Sequence, residues 1–132
     1  VVVAGITALA STGKGNLKVS STVTEVSEMR QGVDAWVGQG TDTTGISLAE
    51  VCKKGYGYSK ATWCRTNQYG GTYAITSNAN KSFVDITISN VDAENILALA
   101  NKLAPVSSER CAKADTSCKS VKTSGSNIIV TM

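Results

Sequence analysis

The run Leu17–Val37 constrains the fold of this chain more than any other stretch. Its apolar side chains fall at Val19, Val23, Val26, Met29, Val33 and Trp36, in steps of three and four. A 3.6-residue period puts all six on one face, so the run predicts an amphipathic helix that must bury that stripe. Its valines lose side-chain freedom in a helix, so packing rather than propensity has to hold it. Asn16 stands where a cap is needed, and Gly38 and Gly40 supply the stop. Upstream, Val1–Ala10 is almost wholly apolar. As a helix it would span about 15 Å, half of a bilayer core, so it cannot cross a membrane alone. Between the two segments, Ser11-Thr12-Gly13-Lys14-Gly15 is expected to loosen or interrupt the helix.

The rest of the chain is expected to alternate helices with strands. Ser47-Leu48-Ala49-Glu50 has the spacing of a capping box opening a short helix to about Lys54, which Gly55 ends. Thr72–Ser77 and Phe83–Ile88 are β-branched, alternating runs separated by Asn78-Ala79-Asn80-Lys81, which reads as a hairpin. Asn90 or Asp92 is placed to cap a helix with Ile96, Leu97, Ala100 and Leu103 on its buried face, ended by Pro105. Asn127–Thr131 reads as a buried strand. No internal repeat or long linker divides these elements. The fold class is therefore α+β: a long N-terminal amphipathic helix packed on an antiparallel sheet.

Composition narrows the setting. With 132 residues, the chain can bury about two thirds of its unfolded surface in one core. Charged residues make up only 17%, and the net charge is +3 without a dense basic stripe, which argues against specific nucleic-acid binding. Four cysteines and no histidine are present. Cys52 and Cys64 are separated by 12 positions and Cys111 and Cys118 by 7, neither of them a zinc-ligand or C-x-x-C spacing. Two disulfides in an oxidising compartment account for them better. Of the three possible pairings, Cys52–Cys64 and Cys111–Cys118 close the shortest loops, each contributing about 2–3 kcal/mol.

No residue pattern carries catalysis. Without histidine, Ser-His-Asp and Cys-His machinery are absent in their usual forms. Glu25 and Glu28 read as exposed helix charges, and Asp85 as the solvent face of a strand. Ser11–Gly15 lacks the spacing of a phosphate-cradling loop. No metal site and no cofactor are expected. Trp36 continues the apolar helix face and reads as core. Trp63, in a loop with Tyr56, Tyr58 and Tyr69, has two readings: an exposed receptor-contact surface, or a cluster packed over the disulfide. Asn80-Lys81-Ser82 fits a glycosylation sequon and reads as an exposed turn.

Taken together, three features resemble the type IV pilins, specifically the type IVb subfamily of thin-pilus subunits. These are the apolar stub leading into Leu17–Val37, the stretch Ile46-Ser47-Leu48-Ala49-Glu50-Val51-Cys52, and Asp85–Val91 running into Ile96–Leu103. A late cysteine loop followed by a C-terminal strand completes the likeness. The resemblance covers nearly the whole chain by order of elements, with no single motif of high specificity. It implies a pilin fold with a disulfide-stapled C-terminal region, residues 1–15 being the remnant of a hydrophobic helix and 16–132 the globular domain. The family has a glutamate at its fifth mature position where this chain has Gly5, which reads as an N-terminal truncation.

The resemblance further implies a major subunit that polymerises with itself into a cell-surface filament for adhesion, aggregation or conjugation. Its precursor would reside in the bacterial inner membrane, and its partners would be other copies and receptors on host or recipient cells. Val19, Val23, Val26, Met29, Val33 and Trp36 would form the assembly helix. The alternatives are a minor tip pilin or adhesin using the tyrosine-rich loop, a secretion-system pseudopilin, and a small secreted disulfide-rich enzyme or inhibitor unrelated to pili.

Overall fold

The computed structural model describes residues 2–38, 42–114 and 118–132, with the side chains of the first helix described from Lys18 onward. Helix α1 spans Val2–Val37, and a short helix α2 (Leu48–Val51) follows. After a 3-10 turn at Thr62–Cys64 come strands β1 (Tyr73–Ser77) and β2 (Val84–Ile88) and helix α3 (Ile96–Leu103). A second 3-10 turn, Ala104–Val106, leads to strands β3 (Val121–Ser124) and β4 (Asn127–Thr131). The four strands form one antiparallel sheet in the order β1-β2-β4-β3. The fold is α+β.

Alternation along the strands sets the buried face. Tyr73 and Ile75 of β1, Val84, Ile86 and Ile88 of β2, and Ile128 and Val130 of β4 are all buried. Val19, Val26, Met29 and Val33 of α1 and Leu99 and Leu103 of α3 join them in one core cluster, with Val23 and Trp36 half-buried at its margin. Each fully buried aliphatic side chain contributes about 1.5–3 kcal/mol by area, an upper figure given a compact unfolded state. This burial outweighs the weak helix propensity of the valines. Thr22 lies on the buried face of α1 with no exposure, and its hydroxyl donates to the Lys18 carbonyl at 2.7 Å, which satisfies it without another partner.

Several elements fall where periodicity puts them. The hairpin pairs Tyr73 with Ile88 through Ser77 with Val84, and β4 occupies its expected residues inside the sheet. Gly38 takes a φ of 73°, and its N–H donates to the Asp34 carbonyl, ending α1. The expected stop at Gly40 and the centre of the Cys111–Cys118 loop lie outside the described residues.

Other expectations need correction. The backbone of α1 is helical through Ser11–Gly15, so Gly13 and Gly15 do not interrupt it. A helical glycine costs only about 1 kcal/mol relative to alanine, less than a break would lose in backbone bonds. The capping box is half made: Ser47 Oγ accepts from the Glu50 N–H at 3.2 Å, while the Glu50 carboxylate turns to Lys53 and Trp36. Neither Asn90 nor Asp92 caps α3; its N-cap is Asn95, without a side-chain bond. Asn90 instead holds a left-handed turn, φ 61°, and donates to the Tyr69 carbonyl at 2.7 Å. Strand β3 was not foreseen. Three of its four residues are exposed, so its sequence lacks an alternating apolar signal.

Two glycines test the packing. A Cβ on Gly32 would lie 2.6 Å from Val51 Cγ1, a residue buried on α2. Because the neighbouring Cys52 is tied to Cys64, α2 cannot simply retreat. A Cβ on Gly71 would lie 2.7 Å from the Ser89 carbonyl oxygen, which is fixed in backbone. We expect Gly32→Ala and Gly71→Ala each to lower stability by about 1–3 kcal/mol in urea unfolding. A net gain in G32A, of the size helix propensity alone supplies, would show that α2 is not held against α1.

Candidate functional site

The region most worked by polar chemistry is the contact between α1 and the loop from Tyr56 to Thr72. Its anchor is covalent: Cys52 at the end of α2 is bonded to Cys64 in the first 3-10 turn, with Cα atoms 6.1 Å apart. The second disulfide, Cys111–Cys118, spans 5.8 Å and closes the loop before β3. These are the two shortest-loop pairings the sequence favours.

A polar stripe on α1 receives this loop. Glu25, Glu28 and Gln31 recur every three residues, so they lie along one edge of the helix beside the apolar face. Glu25 accepts from the Tyr73 hydroxyl at 2.6 Å and from the Gln68 amide at 3.1 Å. Glu28 accepts from the Trp63 indole N–H at 3.0 Å, and Gln31 from the Tyr58 hydroxyl at 3.3 Å. A second indole behaves alike, with Trp36 Nε1 donating to Glu50 on α2 at 3.4 Å. Glu25 and Glu28 are therefore acceptors for aromatic and amide donors rather than simply exposed charges. Together with Ser20, Thr24 and Thr62 they line a cleft of about 410 Å³.

The aromatic residues divide by burial. Trp63 is only 1% exposed and Tyr69 8%, whereas Tyr56 and Tyr58 are half-buried. The Tyr58 and Trp63 rings meet at 5.7 Å, tilted, and Lys18 Nζ sits 5.8 Å from the centre of the Tyr69 ring. For Trp63 and Tyr69, then, packing consumes the side chain, and the surface of this loop belongs to Tyr56 and Tyr58. The six apolar residues expected on the assembly helix are all packed in or against the domain's own core. That stripe is already occupied within the chain.

Asn67 organises the loop, and sequence reasoning passed it over. It is 5% exposed and makes four bonds: its amide nitrogen donates to the carbonyls of Ser89 (2.6 Å) and Thr72 (3.3 Å), and its oxygen accepts from the N–H groups of Tyr69 (2.8 Å) and Gly71 (2.9 Å). The available signal was an Asn shortly before Gly70-Gly71, where a side chain commonly stands in for a turn.

Electrostatics reflect the packing. Burial, reinforced by the Glu25 carboxylate it bonds, pushes the Tyr73 hydroxyl far above the usual tyrosine range; burial also raises Tyr69. Asp42 is lowered by the hydroxyl and amide of Thr44. Glu50 is lowered chiefly by its bond to Lys53, then by Trp36. The one cluster among the described residues with metal-ligand atoms in range is Glu109, Cys111 and Cys118. Its two sulfurs form a disulfide, so neither is a thiolate donor.

No protein-family model, no curated protein and no solved structure matches this chain.

Three outcomes follow from these contacts. Tyr73→Phe strands one oxygen of Glu25 and should cost about 1–3 kcal/mol, read from urea unfolding. Because a raised tyrosine pKa stabilises the fold below the ordinary value of 10.0 and that stabilisation is lost as pH rises, absorbance at alkaline pH should show Tyr69 and Tyr73 ionising above that value. Ionisation of Tyr73 at the ordinary value would contradict the packing. At the acid end the sign reverses for Glu50: its folded value is lowered, so its bond to Trp36 is intact above the ordinary 4.5 and lost as pH falls below it. Trp36 fluorescence in a Trp63→Phe background should change in that range.

Proposed function

We propose that this chain is a structural subunit that polymerises into a type IVb pilus, an extracellular cell-surface filament serving adhesion, aggregation or conjugative contact. The observation that carries this reading is the unequal use of α1. From Val19 to Trp36 its apolar stripe is consumed by the sheet and α3. Ahead of it lies Val1–Ala10, without a single charge, in a helix that begins at Val2. An apolar segment preceding a self-sufficient core favours burial against other copies. Hiding Val2, Val3, Ile6 and Leu9 would contribute on the order of 6–12 kcal/mol by area. Micromolar self-association needs about 8 kcal/mol net, after the entropy of association is met. The segment alone is therefore marginal, and contacts between globular domains would supply the remainder.

The α+β fold with a helix across an antiparallel sheet and two disulfides supports the same reading. Staging in the inner membrane before assembly, receptors on host or recipient cells, and the absence of any catalytic or cofactor role belong to the proposal. No helix among the described residues is long and apolar enough to cross a membrane.

A double substitution, Ile6→Lys with Leu9→Lys, tests it. Lysine is a good helix former, so the change removes stickiness rather than helicity. On removal of detergent the parent chain should form filaments visible by negative-stain microscopy and sedimentable by centrifugation. The double variant should stay monomeric with an unchanged thermal midpoint. Equal assembly of both chains, or a monomeric parent, would defeat the reading.

A further inference from the structure

We propose that the cleft between the β1–β2 turn and the loop after the second 3-10 turn binds one uncharged pyranose sugar, free or at the end of a surface glycan. The cleft has a volume of about 470 Å³, within the range of small-ligand sites. Its lining includes Phe83, the sole phenylalanine of the chain, together with Asn80, Ser108, Glu109 and Lys119. This site is distinct from the tyrosine-rich loop and stands independently of filament formation.

Both walls are fixed before any ligand arrives. On one side Asn78 Oδ1 accepts from the Asn80 N–H at 2.9 Å, Asn80 Oδ1 accepts from the Ser82 N–H at 3.1 Å, and the Phe83 N–H donates to the Asn80 carbonyl at 3.0 Å. Asp85 secures the base of that wall, accepting from Asn78 Nδ2 at 2.9 Å and from the Thr131 hydroxyl at 2.6 Å. On the other side the buried hydroxyls of Ser107 and Ser120 bond at 2.6 Å, and the Ser108 N–H donates to the Thr131 carbonyl at 2.8 Å. Glu109 Oε2 accepts from the Lys119 N–H at 3.3 Å, beside the Cys111–Cys118 disulfide. Preorganised walls spare a ligand the ordering cost that weakens binding to loops.

What these bonds leave over defines the ligand. Asn80, Glu109 and Lys119 are exposed and Ser108 is half-buried. Among the described residues the Asn80 amide nitrogen, the Ser108 hydroxyl, Glu109 Oε1 and the Lys119 ammonium bond to no other protein group, which leaves them open to a ligand in the cleft. That is a mixed set of donors and acceptors around one aromatic face. A pyranose carries hydroxyls that both donate and accept, and a face of C–H groups that packs on a ring. An anion would meet Glu109 and a cation Lys119, so a neutral ligand fits best. A peptide would ask for a larger apolar floor than one half-buried ring.

The test is an amide-resolved NMR titration of the full chain, kept monomeric in a detergent without sugar headgroups. The probes are methyl β-galactoside, methyl α-mannoside and N-acetylglucosamine, each to about 50 mM, since an open cleft of this kind binds on the order of millimolar. At least one should give saturable shifts centred on Asn80, Phe83, Glu109 and Lys119. Phe83→Ala should weaken that binding by about tenfold or more, and the exposed variant Lys119→Ala, which leaves the core untouched, should weaken it severalfold. Tyr56→Ala should leave it unchanged. No saturable shift with any probe, shifts centred on Tyr56–Tyr69, or full binding by K119A and F83A would each overturn the proposal.

Discussion

The register of α1 against the rest of the chain is the constraint on which this structure depends. One face of the helix must hide Val19, Val26, Met29 and Val33, and the adjoining edge must present Glu25, Glu28 and Gln31 to donors arriving from elsewhere. The two demands are met together because the stripes run side by side at helical spacing. A rotation of one residue position, 100°, would take the valines out of the core and move both carboxylates away from Trp63 and Tyr73. Apolar burial supplies most of the free energy, but it is indifferent to small slips. The directional bonds to an indole and two phenols make one register better than its neighbours.

The disulfides act on what that helix leaves unfixed. Between α1 and β1 the described residues hold one turn of α2 and one 3-10 turn, too little regular structure to bury a core of its own. Cys52–Cys64 closes this stretch, Asn67 gathers its far end onto the β2 terminus, and Trp63 is thereby delivered to Glu28. Cys111–Cys118 does the same for the approach to β3, an edge strand whose outer residues contribute little burial. In both places a covalent bond shrinks the unfolded ensemble where side-chain burial is thin.

How much of this was legible in the sequence follows from which signals are local. The α1 stripe, the hairpin and β4 each declare themselves by a period within a few residues, and the cysteine pairs by their separations. Glu25 and Glu28 did not, because a carboxylate one turn from another looks the same whether it faces water or a tryptophan thirty-five positions away. β3 was hidden because an edge strand packed on one side needs only a single buried residue, Val121. The capping box misled for a related reason: Glu50 had a better offer from Trp36 and Lys53 than from the N-terminus of its own short helix. Asn67 carries a local turn signal before Gly70-Gly71, but its bond to the Ser89 carbonyl and the whole of the Phe83 cleft depend on long-range placement that residue type alone does not reveal.

On the proposed reading of the chain as a filament subunit with a sugar site, the arrangement keeps assembly and recognition apart. The apolar stripe of α1 from Val19 onward is satisfied inside the domain, and the proposal assigns association to the segment before it. The cleft around Phe83 is built from the β1–β2 turn, Ser108 and Glu109, Lys119 and Ser120 just before β3, and Thr131 of β4, none of which belongs to α1. Its walls are held by their own turn bonds and by Asp85, not by Glu25 or Glu28. A substitution that alters how copies pack through the helix therefore need not disturb the cleft, and the cleft can vary in ligand without altering the core. Such separation is what a repeating surface requires, because in a polymer every change made for binding is repeated in every copy.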